Sequence, residues 1–161
     1  MDDDKINLRR YEDDLNVSGS GVIIMGIWEN LRVIIQIFLG SDIADYLDIS
    51  DPTGRIIGMI VFAVIFIVLM SSIVIIHLYI GLNAIKVSKG ETYRKGYFAV
   101  AIIMLVFTVI SMTGYKDMFK SERTGTFGAS ILVDLTTMYV LAIVIRSTYK
   151  IKKIKEKPMQ E

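Results

Sequence analysis

From Ile56 to Ile85 the chain runs for 30 residues without one formally charged side chain. As a helix this stretch measures about 45 Å at 1.5 Å per residue, more than the roughly 30 Å hydrocarbon core of a bilayer. A span this long tilts, or its end near Gly81 to Lys86 projects into the headgroups. The chain is therefore read as an integral membrane protein, and soluble Rossmann, barrel and sandwich folds are excluded. Three further apolar blocks, Val22 to Leu39, Tyr97 to Met112 and Phe127 to Ile145, are the other candidates. With 53% of 161 residues hydrophobic, there is enough apolar material for four spans of about 20 residues.

The fold expected is an all-α bundle of four transmembrane helices, with spans at about 21–40, 56–85, 96–113 and 127–147. An acidic tail, 1–20, precedes the bundle and a basic tail, 148–161, follows it. The first twenty residues carry acids where a signal peptide has its apolar core, so targeting is expected to come from an uncleaved first span.

The first block is interrupted by Glu29, Asn30, Arg32 and Gln36. At 100° per residue Glu29, Arg32 and Gln36 fall within about 60° of one another and form one polar stripe. Such a helix lies in the interface with the stripe toward water, or spans with the stripe turned into a bundle. The cations decide between these. If all four blocks span, 13 Lys and Arg fall on the side of the termini and the 86–95 loop, against Arg55, Lys116, Lys120 and Arg123, 4 in all, on the other. That asymmetry follows the positive-inside rule with both termini cytoplasmic, and it nearly vanishes if the first block only lies on the surface. Tyr93, Tyr97 and Tyr149 at one interface, and Tyr46 and Tyr115 at the other, agree with these boundaries.

In this topology Arg32 and Asp134 share a depth. A bare charge at mid-membrane costs about 2.5 to 3.5 kcal/mol, so the two are expected to pair between helices, with Glu29 as intrahelical partner to Arg32. The cluster is read first as a lock on helix register and second as an ion, proton or substrate site. Gln36 and His77 are weaker site candidates. His77 has no acid near it in sequence, so an interfacial or interhelix hydrogen bond is expected of it rather than catalysis. Gly26, Gly58, Ser71, Ser72, Gly81, Ala84, Ala99 and Ala101 offer small surfaces for close helix approach.

Ser18-Gly19-Ser20-Gly21, then Gly26-Ile27-Trp28 opening the polar-interrupted block, and His77-Leu78-Tyr79-Ile80-Gly81-Leu82-Asn83-Ala84-Ile85 closing the next resemble small four-span proteins of unassigned function in Gram-positive bacteria. The likeness covers about a third of the chain and implies a class and a bacterial cell membrane, with no activity attached.

Outside the spans, Asp42, Asp45, Asp48 and Asp51 recur every three residues and read as the solvated face of a short amphipathic helix, not as a calcium loop. The C-terminal tail places six bases between Arg146 and Lys157, a topology signal able to grip anionic lipid headgroups. A net charge of +1 gives no electrostatic case for nucleic acid, and zero cysteines exclude disulfides and thiolate chemistry. Phosphate-binding glycine loops, zinc motifs and nucleophile elbows are absent, so no enzyme activity and no cofactor are expected. The leading expectation is a helix-binding membrane subunit or scaffold, partnered by its own copies or another membrane protein. The rival is a small homo-oligomeric transporter or channel built on Glu29, Arg32 and Asp134.

Overall fold

The computed structural model of the chain describes residues 2–40, 52–114 and 124–156. They form four α-helices: α1 (Asp2–Gly40), α2 (Pro52–Ser88), α3 (Lys95–Thr113) and α4 (Thr124–Lys155). No strand occurs among the described residues. Three of the helices contain stretches long and apolar enough to cross a membrane, Thr53–Ser88, Lys95–Thr113 and Ser130–Lys155. Among the described residues α1, which carries Glu29 and Arg32, is not one of these three.

α2 is rich in Val and Ile, residues that weaken helices in water because branching restricts their side-chain rotamers. In lipid that preference is overruled, since only a helix satisfies every backbone N–H and C=O within one segment. Pro52 opens it at a position where its missing N–H costs nothing. Its end is a Schellman turn: Gly90 takes φ +91°, its N–H reaches the Val87 carbonyl at 3.1 Å, and the Glu91 N–H reaches the Lys86 carbonyl at 3.1 Å. Glycine fits there because the left-handed conformation carries no side-chain penalty for it.

Residues in contact show that neighbouring helices alternate in direction. Gly19 meets Gly81 and Gly26 meets His77, so α1 and α2 run antiparallel. Glu12 meets Lys155 at 3.4 Å and Arg32 meets Asp134 at 3.1 Å, so α1 and α4 do as well. Tyr97 shares a buried 2.7 Å hydrogen bond with Thr148, and Lys152 lies over the ring of Tyr93 just before α3, so α3 and α4 run antiparallel too. The result is an up-down-up-down bundle in which α1 lies between α2 and α4, α3 rests on α4, and, of the four seams around the bundle, that between α2 and α3 is the loosest.

The acidic N-terminal stretch, expected as a tail, is helical from Asp2 onward and continuous with the first apolar block, and Leu15 and Ser18 within it are buried. The basic C-terminal stretch is likewise helical through Lys155, with Ile151 buried. The core, Leu15, Val22, Ile80, Ala84, Val87, Tyr97, Ala101, Leu141, Val144 and Ile151, therefore sits toward the end of the bundle that holds the termini. Tyr97, expected at the lipid interface, is wholly buried, because its hydroxyl has Thr148 as a partner inside the bundle. Tyr149 is exposed.

Close approach of α1 to α2 depends on missing side chains. A Cβ added to Gly81 would lie 2.5 Å from both the Gly19 carbonyl oxygen and Ile23 Cγ1, and one on Gly26 would collide with the His77 side chain. The small residues at Gly26, Gly81 and Ala84 thus do what the sequence suggests, and Gly19 joins them.

Candidate functional site

Polar side chains in the helices divide into two groups. The first bonds its own helix: Ser72 Oγ donates to the Val68 carbonyl at 2.7 Å, Thr108 Oγ1 to Met104 at 3.0 Å, Thr136 Oγ1 to Leu132 at 2.7 Å, and Asn30 Nδ2 to Gly26 at 2.9 Å. These groups need nothing from a neighbour and can face apolar surroundings. The second group reaches across helices, and most of it converges at one level of the bundle.

There the Arg32 Nη1 of α1 lies 3.1 Å from Asp134 Oδ1 of α4 and donates to the Ser130 carbonyl at 3.4 Å. One helical turn earlier on α1, Glu29 turns away from Arg32. Its Oε1 accepts from Thr137 Oγ1 of α4 at 3.2 Å, and its Oε2 lies 3.5 Å from His77 Nε2 of α2. The expected intrahelical Glu29–Arg32 pair is therefore replaced by contacts across helices. The reason is geometric: Glu29 and Arg32 are three residues apart on α1, as are Asp134 and Thr137 on antiparallel α4, so each α1 side chain meets its own α4 partner. His77, set aside in sequence for want of an acid, finds one because Gly26 lets α2 close on α1. Gly26 is the trace of that clearance in the sequence, readable only once the register of α1 on α2 is known. Gln36 sits on α1 with its side chain outside the described residues, as does the whole acidic segment from Asp42 to Asp51.

The histidine tautomer follows from its other nitrogen. Nδ1 lies 2.8 Å from the Ile73 carbonyl, and a carbonyl oxygen only accepts, so Nδ1 carries a hydrogen. Nε2 is then a bare lone pair when the ring is neutral and an N–H when it is charged. It is buried, with the residue 2% exposed, and makes no hydrogen bond among the described residues. A lone pair 3.5 Å from a carboxylate oxygen is repulsive, so the contact calls for one hydrogen shared by the pair or a donor brought from outside. Arg32 Nε is the other buried polar atom without a partner among the described residues.

These groups form the floor of a cavity of about 600 Å³ in the seam between α2 and α3. Its walls are apolar, from Ile73 and Ile76 on α2 and Val100, Ile103, Met104 and Phe107 on α3, with Glu29, Arg32, His77 and Asp134 at the polar end. Ile76, Ile103 and Phe107 are exposed, so the mouth opens sideways from the bundle. Trp28 lies elsewhere, half exposed over a shallow groove between α1 and α4 beside Met25 and Leu132. Among the described residues no group of three or more His, Asp and Glu side chains is arranged to hold a metal ion.

No protein family, curated protein or solved structure matches the chain.

Proposed function

We propose that the chain crosses the cell membrane four times with both termini in the cytoplasm, and that it acts without catalysis, by taking a small molecule from the lipid into the cavity between α2 and α3. The observation that carries this reading is the combination in one place of an apolar, sideways-open cavity of about 600 Å³ and a buried His77 nitrogen without a hydrogen-bond partner beside Glu29. Ligand sites are concave, mostly apolar, and fixed by a few convergent polar groups. Intramembrane ionisable residues mark such sites more than they mark bare packing. Four helices enclose no through-conduit, so a transport role is assigned to an assembly of more than one copy.

The fourth span is supported by packing. α1 lies between two helices apolar enough to cross, and it meets one of them at Arg32 and Asp134, where its charge is compensated. A second reading, a helix-binding subunit or scaffold, draws on the outer half of α2. Ile56, Ile60, Val64 and Val68 there are all exposed.

The test places a fluorophore at the cavity mouth, Phe107→Trp in a Trp28→Phe background, with protein reconstituted in liposomes. Amphiphiles of several headgroup types should change the emission of the rim tryptophan saturably, and Glu29→Gln should alter that response while the protein stays monodisperse. A rim fluorophore indifferent to every amphiphile, together with a stoichiometric membrane partner in a mild-detergent pull-down, would replace this reading by the scaffold one.

A further inference from the structure

Building on the intramembrane site just described, we infer that its ligand is an amphipathic organic cation carrying at least one N–H, and that this cation and a proton on the Glu29–His77 pair exclude each other. The charge tally at the cavity floor is the first ground. Arg32 is engaged by Asp134 and by the Ser130 carbonyl, so that pair is neutral within itself. Glu29 is left with a neutral threonine and with His77. With the ring neutral the floor carries one net negative charge, and with one hydrogen on the Glu29–His77 pair it carries none.

The hydrogen-bond account is the second ground. The Ile73 carbonyl fixes the hydrogen on Nδ1, which leaves Nε2 as an acceptor aimed at a carboxylate, and both want a donor. A proton meets that need, and so does an ammonium N–H. A carboxylate or phosphate could accept from the unpartnered Arg32 Nε but would meet neither of these needs, and it would add a second negative charge in a setting of low dielectric constant. The apolar walls at Ile103, Met104 and Phe107 take the hydrocarbon part of the ligand. Around the pair, the charged groups facing it are Arg32 on α1 and Asp134 on α4, which compensate each other. α3 presents no ionisable side chain to the cavity, and on α2 the hydroxyl of Tyr79 lies toward Gly96 of α3 instead.

The exchange balances. An ammonium headgroup enters, one N–H bonds Glu29 or Nε2, the hydrogen held by the pair leaves to bulk water, and the floor stays neutral throughout. Linkage then fixes the sign: cation affinity is low where the pair is protonated and rises with pH, by at most about tenfold per pH unit for one proton exchanged.

The experiment uses the full chain in mild detergent, with decylammonium as the probe and decanoate as its anionic counterpart. Calorimetric affinity for decylammonium should rise with pH until the pair has lost its hydrogen, and a pH indicator in weak buffer should record about one proton released per cation bound while the pair still holds it. Glu29→Gln should lower that affinity by at least tenfold and abolish both the proton release and the pH dependence. Leu132→Ala, on the far groove, is the folded control and should change neither. Affinity for decylammonium that does not vary with pH overturns the exchange. Binding of decanoate that strengthens as pH falls overturns the cation assignment, while the intramembrane site itself survives. Failure of both amphiphiles to bind a monodisperse, helical protein overturns the inference and the reading beneath it together.

Discussion

Arg32 carries two separate obligations, to its own charge and to the helix on which it rides. Its guanidinium is about a quarter exposed and meets Asp134 at 3.1 Å, so reversal of either partner leaves two like charges facing each other inside the bundle. Arg32→Asp and Asp134→Arg should each destabilise the folded protein by about 3 kcal/mol, the cost of an uncompensated charge at mid-membrane. The double exchange should recover about 0.5 to 3 kcal/mol of that as a coupling energy, read from equilibrium unfolding in mixed micelles. Full additivity of the two single losses would show that the pair does not hold the helices together. The Arg32–Asp134 contact was legible in sequence because depth can be counted along a helix and unlike charges at one depth have few other choices. The destination of Glu29 was not. Thr137 is neutral and gives no electrostatic signal, and the approach of His77 depends on backbone clearance at Gly26 that only a register between helices reveals.

At the level of elements, the contact between α1 and α2 is set by absent atoms rather than by interlocking side chains. Gly81→Ala should cost about 1 to 3 kcal/mol, because its new methyl meets backbone at Gly19 and the Ile23 side chain with no flexible end to give way. Gly128→Ala on α4, where an added Cβ meets nothing within 4 Å, should be neutral or slightly stabilising. Thermal midpoints of the monodisperse fraction would compare the two, and equal shifts would deny any special closeness to the Gly81 crossing. On the other side of the bundle, Tyr97→Phe should cost about 1 kcal/mol, since Thr148 loses its 2.7 Å partner in a buried place. The helices themselves were legible from charge-free runs and turn residues. Their continuations into the charged ends were not: acids and bases at 2–20 and 148–155 suggested tails, while Leu15 and Ile151 among them carry the packing that keeps the ends helical.

For the whole molecule, the arrangement to be decided is whether α1 crosses. Its sequence contains Glu29 and Arg32 where a lone span would be apolar, while among the described residues the three other helices are apolar enough to cross. Packing changes the account, because each of those charges meets a polar group on α4 or α2, and most of the cost of crossing falls away when the bundle forms. The absence of cysteine makes the test clean, since every thiol introduced is the only one in the chain. Asp48→Cys and Lys120→Cys should react with a membrane-impermeant maleimide in intact cells. Asp4→Cys, Lys89→Cys and Glu161→Cys should react only after the membrane is opened, in keeping with 13 cations on that side against 4 on the other. An α1 that lies flat would put positions 4 and 48 on the same side of the membrane, so equal labelling of the two in intact cells is the result that ends the four-span arrangement. The cavity shares that dependence. Its polar floor is built from Glu29 and Arg32 of α1, and at the membrane surface those side chains would be hydrated, so the unmet hydrogen bond at His77 Nε2 would no longer mark a site.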